Sequence, residues 1–392
     1  MGAAVSKAMP ASGGLLNQID IPPALLERML KNREHTIRND LLRVGSADRM
    51  QAALLEKQAA DIQSKLHNME VALVACKQLF ATAYEALDRL GQGLPVHQLR
   101  KALQALLVGD IEPAEQLFTA IRAKFPQQAA EATFQLAELA YNRIDYLPAF
   151  KLYAEAVDLQ PDNPLYQNEA GYLAKTIGRY HDAETYYQRA LRLWEERCGA
   201  EHVDVANSLN NLAGLYFAQG LYGRAEPMYT RALLIREKLL GEMHLEVAVS
   251  VTNLGLLNVS LRRYSKAEQF YQRALLIREA VLGEQHVDIA VSLGHLAGLY
   301  KTQGSYAKAV QCYLRALAIF EQALGPDHAS VASLLNSLAG LYKAQRAYAK
   351  AEPLFHRALN INRQVLGVDH PFVEASMVNY ASLRKMMSRM PD

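Results

Sequence analysis

A histidine recurs at positions 202, 244, 286, 328 and 370, each 42 residues after the last, and each stands three residues after a glycine. Those glycines are Gly199, Gly241, Gly283, Gly325 and Gly367. Around the pair a whole phrase repeats, from His202 through Leu209, Leu212, Ala213 and Tyr216 to Tyr222, Ala225, Tyr229, Arg231, Ala232 and Leu233. A period this long marks stacked supersecondary units, each of which buries its apolar surface against its neighbours. A chain of 392 residues then needs no division into two or three separate cores.

Within one period the apolar residues Val205, Leu209, Leu212, Ala213 and Tyr216 follow one another at three- and four-residue steps, which puts them on one face of a helix. Gln219-Gly220 ends that helix, because glycine accepts a left-handed cap conformation at little cost. Tyr222, Ala225, Tyr229, Ala232 and Leu233 then mark the inner face of a second helix. Pro148, Pro227 and Pro353 fall near the starts of second helices, where a first turn tolerates the missing N–H. The register extends upstream, since tyrosines at 146, 180, 222, 264, 306 and 348 are separated by one step of 34 and four of 42. Leu107 to Phe125 reads as the second helix of a degenerate leading unit, and Phe372 to Met387 as a first helix without a second.

Four segments follow. Residues 1–20 are small and polar and are expected to be flexible. Residues 21–90 are rich in helix formers and contain a seam at heptad spacing, from Leu55, Ala59, Ile62 and Leu66 through Met69, Leu73 and Cys76 to Phe80, Ala83 and Leu87. That seam fits either of two arrangements, a coiled-coil homodimer through residues 55–87 or a hairpin folded back on this chain. Leu25, Met29 and Leu30 belong to a separate short helix upstream of Gly45. Residues 91–96 form a glycine- and proline-containing hinge, and residues 97–387 carry the repeats.

Leu212-Ala213, Tyr216, Ala225, Tyr229 and Ala232 resemble the tetratricopeptide signature, and Pro161 matches the proline that closes a 34-residue unit. The 42-residue units resemble those of kinesin light chains and nephrocystin-like proteins. The resemblance implies an all-α, right-handed superhelical solenoid of helical hairpins, about six full repeats long. It also implies a concave groove whose reading position is the residue before the signature leucine, here Asn211, Asn253, His295, Ser337 and Asn379. Neighbouring groove positions are Asn207, Asn210, Thr252 and Asn336. Asparagine there offers one donor and one acceptor to an extended peptide.

The remaining chemistry is sparse. Forty-two basic side chains against forty acidic ones carry no overall nucleic-acid footprint. Three scattered cysteines suit a reducing compartment and provide neither a disulfide framework nor a zinc site. The periodic histidines stand one per unit without a second ligand, so a backbone contact at the turn before each first helix is expected of them. Arg231, Arg273, Arg315 and Arg357 are expected to form solvated or inter-repeat ion pairs with acids such as Glu226 and Glu268. No phosphate loop or nucleophile constellation appears, and no cofactor or metal is expected. The expectation is a non-catalytic adaptor binding a protein or peptide partner in the groove, or alternatively a self-assembling oligomer. It is expected in the cytoplasm without a transmembrane segment, with Gly2 in a myristoylation motif that would add a membrane anchor.

Overall fold

The computed structural model describes residues 17–44, 49–91, 94–366 and 371–388, and its regular elements are all helical. Gly2, Gly367 and His370 lie outside the described residues. The chain divides into two compact units, residues 1–200 and 201–392.

The first unit opens with α1 (Pro23–Arg43), α2 (Arg49–His67) and α3 (Met69–Leu90). Three hairpins follow: α4 (Val96–Leu107) with α5 (Glu112–Lys124), α6 (Ala129–Asn142) with α7 (Tyr146–Leu159), and α8 (Pro164–Thr176) with α9 (Tyr180–Cys198). The leading unit therefore has both of its helices. In α8 the sequence start signal is explicit: Pro164 opens the helix, and the Asn163 side chain accepts from the Leu165 N–H at 3.1 Å.

Three expectations for the N-terminal segment change. Ile19 and Ile21 are 1% and 3% exposed, and the Asp20 N–H donates to the Leu107 carbonyl at 2.8 Å, so packing begins inside the stretch expected to be flexible. The helix around Leu25 and Leu30 is not short but runs for 21 residues. The heptad seam is not one helix, because the chain turns at Asn68 (φ −126°, ψ 65°) between α2 and α3. Its residues Ile62, Cys76, Phe80, Ala83 and Leu87 are buried within this chain, with α1 against α2 and α3 against α4 and α6. This is the folded-back arrangement of the two that the seam allows.

The second unit stacks four hairpins and a last helix: α10 (Val203–Ala218) with α11 (Tyr222–Leu240), α12 (Leu245–Ser260) with α13 (Tyr264–Leu282), α14 (Val287–Thr302) with α15 (Tyr306–Leu324), and α16 (Ala329–Ala344) with α17 (Tyr348–Leu366), then α18 (Pro371–Met387). Each described periodic histidine is an N-cap. Its Nδ1 accepts from the N–H two residues on, at 3.3 Å for His202, 3.1 Å for His244, 3.2 Å for His286 and 3.1 Å for His328. A tyrosine of the outer helix packs on the inner helix of its own hairpin. Tyr271 lies so close to Gly255 that a Cβ there would collide with its ring, and in the first unit a Cβ on Gly171 would lie 2.8 Å from Tyr187.

Two further expectations are corrected. Pro227 and Pro353 are the sixth residues of α11 and α17, inside the helices and past the first turn. The residues four before them, Gly223 and Ala349, are exposed, so water can satisfy the carbonyls that lose a donor. The arginine ladder does bridge neighbouring outer helices, but to other acids than those expected. Arg273 meets Glu237 at 2.5 Å, Arg315 meets Glu279 at 2.7 Å and Arg357 meets Glu321 at 2.6 Å. Glu226 and Glu268 pair instead with Arg263 and Lys308. Such half-exposed pairs contribute little each.

Candidate functional site

In the second unit the expected groove residues lie on the first helices of the hairpins, where several make contacts within the chain and Thr252 is buried. Asn253 donates from Nδ2 to Asn210 Oδ1 at 2.7 Å, linking inner helices α10 and α12. Asn336 likewise donates to Ser376 Oγ of α18 at 3.0 Å. Asn207 accepts from Arg236 at 2.7 Å, and the Ser337 hydroxyl donates to the Ser333 carbonyl at 3.1 Å. Thr252 is buried, its hydroxyl turned back to Ala248 at 2.7 Å. Asn211, Asn253, His295 and Ser337 are half-buried, and Asn379 is exposed.

Arg236 is the residue that sequence reasoning missed. It is 3% exposed, and besides Asn207 it donates to Ser250 Oγ at 2.6 Å and pairs with Glu246 at 3.0 Å. Burial lowers its pKa, and the Glu246 carboxylate opposes that shift. Arg278 repeats the contact one hairpin on, with Ser292 at 2.7 Å. The sequence signal was available: an arginine five residues after the invariant-register arginine, in two successive repeats, facing a serine on the next inner helix.

His295 stacks on Tyr271 with ring centroids 5.4 Å apart and planes at 20°. Burial, then nearby positive charge that includes Arg278, lowers its pKa, so near neutral pH it presents an uncharged imidazole. Around it the wall is low. A Cβ built on Gly294, Gly298 or Gly340 would meet nothing within 4 Å. Val249 and Val291 are exposed on the same face at 40% and 46%. Lys301 is exposed beyond them, and Lys343 donates to Ser382 at 2.9 Å. The surface can therefore offer amide donors and acceptors, small apolar contacts and room.

The equivalent face of the first unit is different. Counted back eleven residues from the outer-helix tyrosine, the position of Asn211 and Asn253 is Gln135 in α6 and Glu169 in α8. These two are 5% and 4% exposed. Glu169 has an amide hydrogen bond from Asn168 at 3.1 Å, and Glu138 accepts from the Tyr153 hydroxyl at 2.6 Å. Burial pushes both carboxyls well above the ordinary carboxylate range, and for Glu169 the neighbouring Glu138 adds to the effect. Helices α2 and α3 pack over the ends of this face. Arg89 of α3 pairs with Glu131, and Asn142 meets Cys76 Sγ at 3.8 Å. Lys65 and Lys57 of α2 donate to the carbonyls that end α6 and α8, Asn142 at 2.9 Å and Thr176 at 2.7 Å. Cations at helix C-termini are favourable because the last carbonyls lack intrahelical partners.

Stacked hairpins in this register define a helical repeat scaffold whose candidate site is a surface rather than a cavity. The tetratricopeptide repeat model matches residues 163–238, 204–280, 246–322, 288–352 and 330–392, and the chain belongs to that family. No curated protein matches. Among solved structures, BtubC (BKLC) from P. vanneervenii is 28% identical over 54% of this chain and 88% of its own, with a TM-score of 0.47. A putative kinesin light chain repeat protein from Podosopora anserina is 21% identical over 53% of this chain and 98% of its own, with a TM-score of 0.48. The apo form of RapI is 15% identical over 93% of this chain and 99% of its own, with a TM-score of 0.50, a likeness of fold alone. Among the described residues no helix is long and apolar enough to cross a membrane, and no group of three or more His, Cys, Asp or Glu could hold a metal ion.

Proposed function

We propose that this protein is a non-catalytic adaptor that holds a partner polypeptide on the inner face of the second unit. The observation that carries the reading is the pairing of the asparagine row with helical glycines at which a side chain would meet only open space. Glycine inside a helix costs about 1 kcal/mol relative to alanine. At Gly294, Gly298 and Gly340 no neighbour within the chain requires it. Space held open at that cost, beside Asn211, Asn253, His295, Ser337 and Asn379, suits a bound chain whose backbone comes close. The contacts would be many and individually modest, made on helices already in place, so little ordering cost falls on this protein. A cytoplasmic location fits three free cysteines.

Affinity purification of the full chain with crosslinking tests this. Lys301 and Lys343 should crosslink to the partner, and changing Asn211, Asn253 and Asn379 together to alanine should remove retention while helicity stays the same. Crosslinks confined to the outer helices, with retention intact in the triple variant, would overturn the reading.

A second reading, self-association, has one observation in its favour. Leu234 and Leu276 occupy the same place on neighbouring outer helices α11 and α13 and are 60% and 56% exposed. Light scattering separates the two readings, because a monomer at micromolar concentration excludes assembly through that pair.

A further inference from the structure

The near-zero balance of the whole chain conceals a segregation within the second unit. Consider the half from the midpoint of each inner helix through the turn and the first two turns of its outer partner. There eleven lysines and arginines stand against three glutamates, Glu226, Glu268 and Glu352. The opposite half has eleven carboxylates against eight cations. The three glutamates are already engaged, with Arg263 at 2.7 Å, with the Tyr300 hydroxyl at 2.8 Å and with the Tyr380 hydroxyl at 3.3 Å. Among the described residues, Arg262, Lys266, Lys301, Arg346, Arg384 and Lys385 have no ion pair. The turn edge of the unit is a row of unneutralised cations.

Two of these cations sit where the backbone discourages them. The hairpin turns of this unit pass through a left-handed residue, which is Gly220 (φ 74°) in the first and Gly304 (φ 74°) in the third. In the second and fourth it is Arg262 (φ 55°) and Arg346 (φ 59°). An L side chain is disfavoured in that region, where glycine is at ease. Ile144 of the first unit is also left-handed, at φ 65°, but it is 1% exposed and packing accounts for it. The Arg262 and Arg346 side chains are exposed and have no hydrogen bond or ion pair among the described residues. A strained placement without an internal reason points outward.

We propose that this turn edge docks on the surface of an anionic lipid bilayer. Successive turn tips carry these cations one hairpin after another, and an extended anionic surface can meet several of them at once. Apolar side chains are interleaved with them, Leu221 at 42%, Tyr306 at 37% and Met386 at 43% exposure, and these suit the boundary between headgroups and acyl chains. The first unit has no such edge. Its turns carry Asp110, Arg143, Asp145 and Arg179, two charges of each sign, and Arg33 of α1 pairs with Asp145 at 2.5 Å while Arg179 pairs with Asp182 at 2.5 Å. The proposal is independent of the inner-face reading, since Arg262 and Arg346 are not on that face.

The test is co-sedimentation of the full chain with phosphatidylcholine vesicles, with and without phosphatidylserine. Retention should require phosphatidylserine and weaken as salt rises through the physiological range. Each arginine near an anionic surface changes affinity about fivefold, so R262G with R346G should weaken binding about 25-fold. That double variant installs the residue the other turns already use. It should fold and melt no lower than the parent and retain its inner-face partner unchanged. Equal binding to neutral vesicles overturns the proposal, as does an unchanged affinity in the double variant. Failure to bind either vesicle while single-stranded RNA is bound also overturns it and assigns the edge to a nucleic acid.

Discussion

One register, two faces: eleven residues before the outer-helix tyrosine the first unit has Gln135 and Glu169, and the second has Asn211, Asn253, His295 and Ser337. In the first unit the position is closed, with both residues at or below 5% exposure and α2 and α3 lying over the helix ends. In the second it is half-open, and beside it stand glycines at which a Cβ would meet nothing within 4 Å. The same contrast holds at the turns. Turns of mixed charge in the first unit pair internally and with Arg33 of α1, and the turns of the second carry an excess of cations. A repeat fixes where side chains are presented, and the identity of those side chains decides whether the chain covers them itself or leaves them to another molecule.

The comparison breaks most visibly at Phe80, a fully buried ring of α3. Phe80→Ala should cost the first unit about 4 kcal/mol through lost burial and a cavity. Hydrogen exchange should rise across α3, α4 and α6 while the second unit is unaffected. Trp194, the only tryptophan, lies in α9 and reports this unfolding by fluorescence. Equal loosening of both units would show that they do not cover their faces independently.

The next effect concerns charge. The carboxyl of Glu169 titrates above its ordinary range in the folded protein, so folding favours its protonated form. The contribution is full below the unfolded pKa and is lost as pH rises, here from about pH 5 to pH 8. Glu169→Gln should therefore raise the stability of the first unit at pH 8 by about 2 kcal/mol and flatten its dependence on pH. Denaturant titrations followed by Trp194 at the two pH values check this. A parent protein more stable at pH 8 than at pH 5 in this unit would reverse the sign and refute the assignment.

The smallest effect tests the histidine caps of the second unit. His244→Ala removes the acceptor for the Glu246 N–H and should cost about 1 kcal/mol, whereas His244→Asn should be close to neutral. Thermal melts of the three proteins compare them directly. An unaltered alanine variant would mean that water satisfies that helix terminus as well as imidazole does.

Much of this was legible in advance. The helical hairpins, the tyrosine register, the glycine turns and the backbone contact of the histidines all follow from spacings within one period, because each rests on neighbours three, four or 42 residues away. The asparagine row was legible as a row. Its internal ties were not, since Asn207 to Arg236 joins an inner to an outer helix and Asn210 to Asn253 crosses between hairpins. The closed face of the first unit was legible only in part, because Gln135 and Glu169 stand at the right place in the register but nothing local says what covers them.

The 42-residue period by itself determined the class of structure and the direction in which each side chain faces, for a stack of near-identical hairpins repeats its contacts wherever its residues repeat. Tertiary structure alone decided which faces stay available. The N-terminal seam could pair with another chain or fold back. It folds back, burying Ile62, Cys76, Phe80, Ala83 and Leu87 within this chain, and Lys57 meets Thr176, 119 residues away, while Lys65 meets Asn142, 77 residues away, each a cation placed at the bare carbonyl end of an inner helix. Contacts at such separations leave no periodic trace in a sequence.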